Sequence, residues 1–150
     1  MRSGKFLAGI VLAAMLAAGS SIGHAQDSTA ANAVLGQWLT ANGLSKVEIY
    51  KEGEEFLGRI VWLKEPEKDG KPKVDENNPD AKLRTRPILG MTIMRGLKFD
   101  GDDTWKGGKI YDPKSGNDYS AKMTMPDAHT LELRGYVLIP LVGRTETWTR

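Results

Sequence analysis

The side chains that most often carry chemistry are sparse in this 150-residue chain. Cys is absent, which removes disulfides, thiolate metal ligands, a Cys nucleophile and a lipidated N-terminal Cys. Of the two histidines, only His129 lies beyond the first 25 residues. A Ser or Thr nucleophile needs a base beside it, and a zinc site needs three or four Cys, His or carboxylate ligands. His129 follows the turn signal Pro126-Asp127 and reads as an exposed turn histidine.

Carboxylates gather in two stretches. Asp100, Asp102 and Asp103 share one turn, and Asp75, Glu76 and Asp80 accompany Asn77 and Asn78 in a polar segment. Neither has the calcium-loop spacing that ends in Glu, so both read as solvated acids. Glu54 and Glu55, and Glu65 and Glu67, are close in sequence. That proximity does not place a pair across the roughly 5–10 Å gap a glycosidase needs. Trp105-Lys106-Gly107-Gly108-Lys109 lacks the phosphate-loop spacing and leads into no helix. Its glycines suit a bulge or a close backbone approach. The expectation is a non-enzymatic protein with no catalytic residue, metal or cofactor.

The remaining signal is aromatic: Trp38, Tyr50, Trp62, Trp105, Tyr111, Tyr119, Tyr136 and Trp148 all fall on strand-like runs. Strand alternation puts Trp105 and Tyr111 on one side, and Tyr119, Ala121, Met123 and Met125 on one side. If those sides face a lumen, Tyr50, Trp62, Trp105, Tyr111, Tyr119 and Met123 would line a site for a small apolar or amphipathic guest. A packed core without a vacancy fits the same residues. Arg84 and Arg86, beside the polar segment, are candidates for an anionic head group at its mouth.

The elements that must position these residues begin after a leader. Arg2 and Lys5 precede an apolar run from Phe6 to Gly19, and Gly23-His24-Ala25 supplies small residues at the −3 and −1 positions. This is a secretory signal pattern, too short for the about 20 apolar residues of a spanning anchor. It predicts cleavage after Ala25, a leader over 1–25, a single domain over 26–150, and a periplasmic or secreted protein with no stable membrane insertion. Without Arg2 and Lys5 the chain carries 19 basic and 19 acidic residues. That balance, with no dense basic run, argues against a nucleic-acid partner. A hydrophobic content of 40% with 27% charged residues excludes wholesale disorder and a polytopic membrane protein.

Beyond the leader, no long apolar repeat has helical spacing. Short β-branched and aromatic runs alternate with turn signals. Strands are expected at 34–39, 46–51, 55–63, 90–99, 104–111, 118–125, 130–137 and 144–149. Asn42-Gly43 and Asp100-Gly101 are hairpin signals. Residues 64–82, with Pro66, Pro72 and Pro79, read as one long loop. Leu138 to Gly143 is apolar and fits no single element. Regular hairpins point to an all-β, eight-stranded antiparallel up-and-down barrel, with a β-sandwich as the rival.

Two stretches also carry a resemblance. Gly36-Gln37-Trp38 resembles the Gly-x-Trp signature of the lipocalin and avidin barrels, and Trp148-Thr149-Arg150 resembles their aromatic-Thr-Arg ending. The resemblance implies that Arg150 lies against Trp38 and closes the barrel. From Gly36 to Arg150 the chain is also similar to a family of small exported bacterial proteins classed as a domain of unknown function. The similarity runs through Ile60-Val61-Trp62-Leu63, Arg86-Pro87-Ile88-Leu89-Gly90, Trp105 to Pro113 and Arg134-Gly135-Tyr136. It implies a lipocalin-like barrel and no assigned activity. The resulting expectation is a small apolar or amphipathic ligand held in the barrel. The alternative is a filled barrel serving as an envelope interaction module through loop 64–82.

Overall fold

The computed structural model describes residues 22–150, with side chains from Asp27 onward. The basic and apolar parts of the expected leader lie outside the described residues. The chain runs α1 (Ile22–Asn32), β1 (Gly36–Leu39), β2 (Ser45–Glu52), β3 (Glu55–Leu63), β4 (Glu67–Lys68), β5 (Lys71–Pro72), β6 (Thr92–Phe99), β7 (Thr104–Asp112), β8 (Asn117–Asp127), β9 (Thr130–Tyr136) and β10 (Gly143–Thr149). Eight strands close a barrel in the order β1-β10-β9-β8-β7-β6-β3-β2, every neighbouring pair antiparallel. This is the meander expected from the hairpin spacing, not a sandwich.

Two departures are informative. Helix α1 carries no helical apolar repeat; of its described side chains, 27–32, only Ala31 is buried, and the Ala31 carbonyl accepts from Trp105 Nε1 at 3.1 Å. The segment expected to be one long loop over 64–82 is a structured connection reaching Met91. It holds the β4–β5 hairpin, turned by Asp69 and Gly70 at positive φ (53° and 72°), and a 3-10 turn over Ala81–Leu83. Asp80 caps that turn by accepting from Lys82 N at 3.0 Å.

The closing seam is narrow. β1 meets β10 in register only at Leu39–Thr149. Arg150, the residue after that pair, reinforces the seam. Its guanidinium lies 4.2 Å from the centre of the Trp38 ring and donates to the carbonyls of Ala33 (3.0 Å), Leu35 (2.9 Å) and Ala128 (2.8 Å). Trp38 itself is fully buried and donates from Nε1 to Val34 O at 2.8 Å. The two chain ends thus form a floor, with a cation against an aromatic face in place of an extended ladder.

Above this floor the barrel is packed solid. Ile49, Phe56, Met94, Leu97, Trp105, Met123 and Leu131 are all buried, and Phe56 and Phe99 rest against Trp105 with ring centres 6.1 and 5.2 Å away. Gly58 and Gly108 admit this packing. A Cβ on Gly58 would come within 2.8 Å of Met94 Cε, and one on Gly108 within 2.5 Å of Leu97 Cγ. A side chain at either position would displace the neighbouring strand β6.

Candidate functional site

The upper half of the barrel is hollow. A cavity of about 680 Å³ opens at the end where the β1–β2, β7–β8 and β9–β10 turns and the 64–91 connection meet. Ile60, Ile93, Ile110, Leu133 and Trp148 form its apolar wall, Tyr119 and Tyr136 add rings, and Lys114, Arg144, Asp112 and Glu146 stand around it. The size falls within the roughly 300–1,000 Å³ of small-molecule pockets. The alternatives of packed core and hollow lumen therefore both occur, one above the other.

Register explains which residues reach the cavity. β10 runs against β9 without a bulge, so Arg144, Glu146 and Trp148 share the inner face. The rim cations Lys114 and Arg144 join no ion pair among the described residues. The acids beside them are partly occupied: Asp112 accepts from Lys114 N at 3.0 Å, and Glu146 from Trp148 Nε1 at 3.4 Å.

The residues singled out from sequence do not assemble there as a group. Tyr119 lines the cavity. Trp105 and Met123 face each other in register inside the packed half. Trp105 and Tyr111 do not share a side, because three residue steps of β7 between Trp105 and Gly108 span two of β8, with Gly107 at φ 79°. The bulge reverses the alternation. Tyr111 borders the cavity, yet it pairs across the ladder with the exposed Asp118 and turns its hydroxyl to Asp75. A second bulge, where Lys46 pairs with Trp62 and Val47 with Ile60, swings Trp62 outward. Trp62 is 41% exposed, with Lys46 Nζ 5.9 Å from its ring. Tyr50 alternates with the buried Ile49 and also faces out, its hydroxyl 3.2 Å from Thr92 Oγ1 and Arg59 over its ring.

Arg84 and Arg86 are absent from the cavity wall and serve the connection instead. Arg86 Nη2 pairs with Asp75 at 2.8 Å, and Arg84 Nε donates to Asn78 O at 2.8 Å. Asp75 is wholly buried and accepts from Tyr111 Oη (2.6 Å), Asn78 Nδ2 (2.7 Å) and Arg86 Nη2 (2.8 Å). Burial alone would raise the Asp75 carboxyl; the bonds from Tyr111, Asn78 and Arg86 outweigh it and hold the group below the usual carboxylate range. Burial, with the adjacent Asp75 carboxylate, pushes the Tyr111 hydroxyl up to about 12. Asn77 Nδ2 donates to Lys114 O at 3.1 Å, and a Cβ on Gly116 (φ 73°) would overlap Asn77 O. The connection is thus strapped to the β7–β8 turn at the rim.

The other candidate chemistry dissolves into structural contacts. Asp100 pairs with Lys106, and among the described residues no three acidic or imidazole side chains converge as a metal-binding group. His129 N donates to Asp127 at 2.8 Å in a tight turn, with the carboxylate held low by that bond.

A meandering eight-stranded barrel, shut at one end by an Arg–Trp pair and open at the other to a half-apolar cavity, is a lipocalin-like barrel. The chain belongs to the family described as uncharacterized protein conserved in bacteria (DUF2147), whose profile matches residues 36–150. Protein HP1028 from Helicobacter pylori, described as belonging to the lipocalin family, is 28% identical. Its structure superposes with a TM-score of 0.69 over 78% of this chain and 82% of that one. A redesigned β-barrel covers 81% of this chain and 94% of that one at 15% identity and a TM-score of 0.45. No curated protein matches the chain at a significant level.

Proposed function

We propose that this protein binds a small amphipathic molecule without transforming it, the apolar part against Ile60, Ile110, Leu133 and Trp148 and an anionic head between Lys114 and Arg144. The cavity carries this reading. It is large enough for a ligand, apolar on one side, and edged by Lys114 and Arg144, which join no ion pair among the described residues although Asp112 and Glu146 also line it. A guanidinium and an ammonium so placed favour a carboxylate or phosphate over a neutral head. The lipocalin-like barrel supports the same use. The leader pattern of Arg2, Lys5 and Phe6 to Gly19 supports export, with the binding site working in the periplasm.

The test is native mass spectrometry of the exported protein after exposure to a cell-envelope extract. A retained lipid-sized adduct is expected, and its absence at any extract concentration refutes the proposal. Gly135→Val supplies the control for location. Gly135 lines the cavity, and a Cβ there meets only ordinary contacts, 3.7 Å to Tyr119 and 3.8 Å to Ile110. The variant keeps its melting temperature and loses at least half of the adduct. Unchanged loading would place the guest elsewhere.

A further inference from the structure

The β9–β10 turn is the largest apolar protrusion of the described surface. Residues 135–143 carry no charge. Val137, Leu138, Ile139, Leu141 and Val142 are exposed, Leu138 at 93% and Leu141 at 85%. Single exposed apolar side chains are ordinary, whereas a contiguous cluster on a projecting tip marks a surface that something apolar covers.

The backbone of the tip narrows the occupant. Val137 N donates to Val142 O (3.2 Å), Ile139 N to Val137 O (2.8 Å) and Val142 N to Ile139 O (3.1 Å). Arg134 reaches up from β9 and donates to the carbonyls of Pro140 and Leu141. Five of the six carbonyls from Val137 to Val142 and the N–H groups of Val137, Ile139 and Val142 are therefore satisfied within the hairpin, and Pro140 has no N–H; Leu138 N–H, Leu138 O and Leu141 N–H make no hydrogen bond among the described residues. Hydrocarbon offers no hydrogen bonds, so a tip paired to this extent goes no deeper than the acyl boundary, where these three groups still meet water and head groups.

Charge points the same way. Arg134 and Arg144 flank the apolar run, and Lys114 lines the same cavity mouth as Val137 and Val142. The ladder ends at Tyr136–Gly143 and the apolar turn projects beyond Arg144, while the Arg134 guanidinium is held at the turn itself by the carbonyls of Pro140 and Leu141. Interfacial elements bury an apolar face in the acyl boundary with basic residues at phosphate level.

We propose that the β9–β10 tip docks the protein on an anionic phospholipid surface. Leu138 and Leu141 enter the acyl boundary, Arg134, Arg144 and Lys114 meet phosphates, and the mouth of the barrel opens toward the lipid. The tip itself is the docking surface, so docking does not require a ligand in the lumen; when an anionic head sits between Lys114 and Arg144, the tip leucines and Arg134 remain to make the contact.

The absence of Cys allows the tip to be read alone, even in the full chain with its apolar leader. Leu138→Cys labelled with an environment-sensitive dye is compared with Glu54→Cys, whose turn lies at the floor end. The vesicles are phosphatidylethanolamine with phosphatidylglycerol, against phosphatidylcholine. The expected result is a blue shift at position 138 with the anionic vesicles, at least tenfold weaker partitioning to phosphatidylcholine, and no shift at position 54. Adding Leu141→Asp to the labelled chain lowers partitioning at least tenfold; both leucines are exposed, so the melting temperature stays put. No shift at 138, equal shifts on both vesicles, or a shift that survives Leu141→Asp overturns the proposal. A concentration-dependent shift without vesicles, abolished by Leu141→Asp, overturns it in favour of a second copy on the tip.

Discussion

Asp75→Asn tests the strap that holds the 64–91 connection to the barrel rim. The carboxylate is buried and accepts three side-chain hydrogen bonds, one from a guanidinium. The asparagine keeps the shape but has one oxygen for three donors, and its amide hydrogens face further donors. Hydrogen bonds to a charged group are worth roughly 1.5–3 kcal/mol each, and a stranded buried donor costs about 1–3 kcal/mol. Arg86 is 39% exposed, so water recovers part of its loss. The expected destabilisation is about 2–4 kcal/mol. For a chain of this length that lowers Tm by roughly 10 °C. Urea unfolding followed by the fluorescence of the four tryptophans measures it directly.

The pH dependence makes the prediction sharper. The folded Asp75 carboxyl sits below its ordinary value of 3.8. Its contribution is therefore complete above that value and is lost as pH falls through the lower, folded one. The gap between wild type and Asp75→Asn is flat from about pH 5 to about pH 8 and narrows below about pH 4. A gap under about 1 kcal/mol, or one as wide near pH 2 as near pH 7, would refute the role assigned to the carboxylate.

Two further outcomes follow from the same contacts. Tyr111, pushed up from 10.0 to about 12, favours the folded state below about pH 10, and that contribution disappears as pH rises through about 12. The stability difference between wild type and Tyr111→Phe should shrink by about 3 kcal/mol across that window, checked by urea titration with tyrosinate absorbance in parallel. At the floor, Arg150→Ala removes three carbonyl contacts and the Trp38 stacking, and should cost about 2–3 kcal/mol by thermal unfolding. Arg150→Lys should recover less than half, because an ammonium cannot span the three carbonyls in one plane. Full recovery would show that charge alone shuts the seam.

The strands were legible because alternation and turn chemistry are local. Asn42-Gly43, with Gly43 at φ 68°, and Asp100-Gly101, with Gly101 at φ 81°, turn where two short-range signals said they would. Tyr119 and the inward Ala121, Met123 and Met125 follow from counting by two along an unbroken stretch. Arg144 is within reach of the same counting from Trp148, four residues along an unbulged strand. Trp62 and Tyr111 were beyond it. Their side depends on bulges, and a bulge is set by how two strands close against each other.

Sequence by itself determined the eight strands, the absence of thiol chemistry and, through the motifs at its two ends, the Trp38–Arg150 floor. Tertiary structure alone decided that the barrel is solid below and hollow above, that Arg86 belongs to Asp75 and not to a ligand, and that the segment Leu138 to Gly143 becomes an apolar tip. The division has one physical reason. Strand propensity and turn geometry act over a few neighbours, whereas a cavity, a buried ion pair and an exposed patch are properties of the space between segments far apart in the chain.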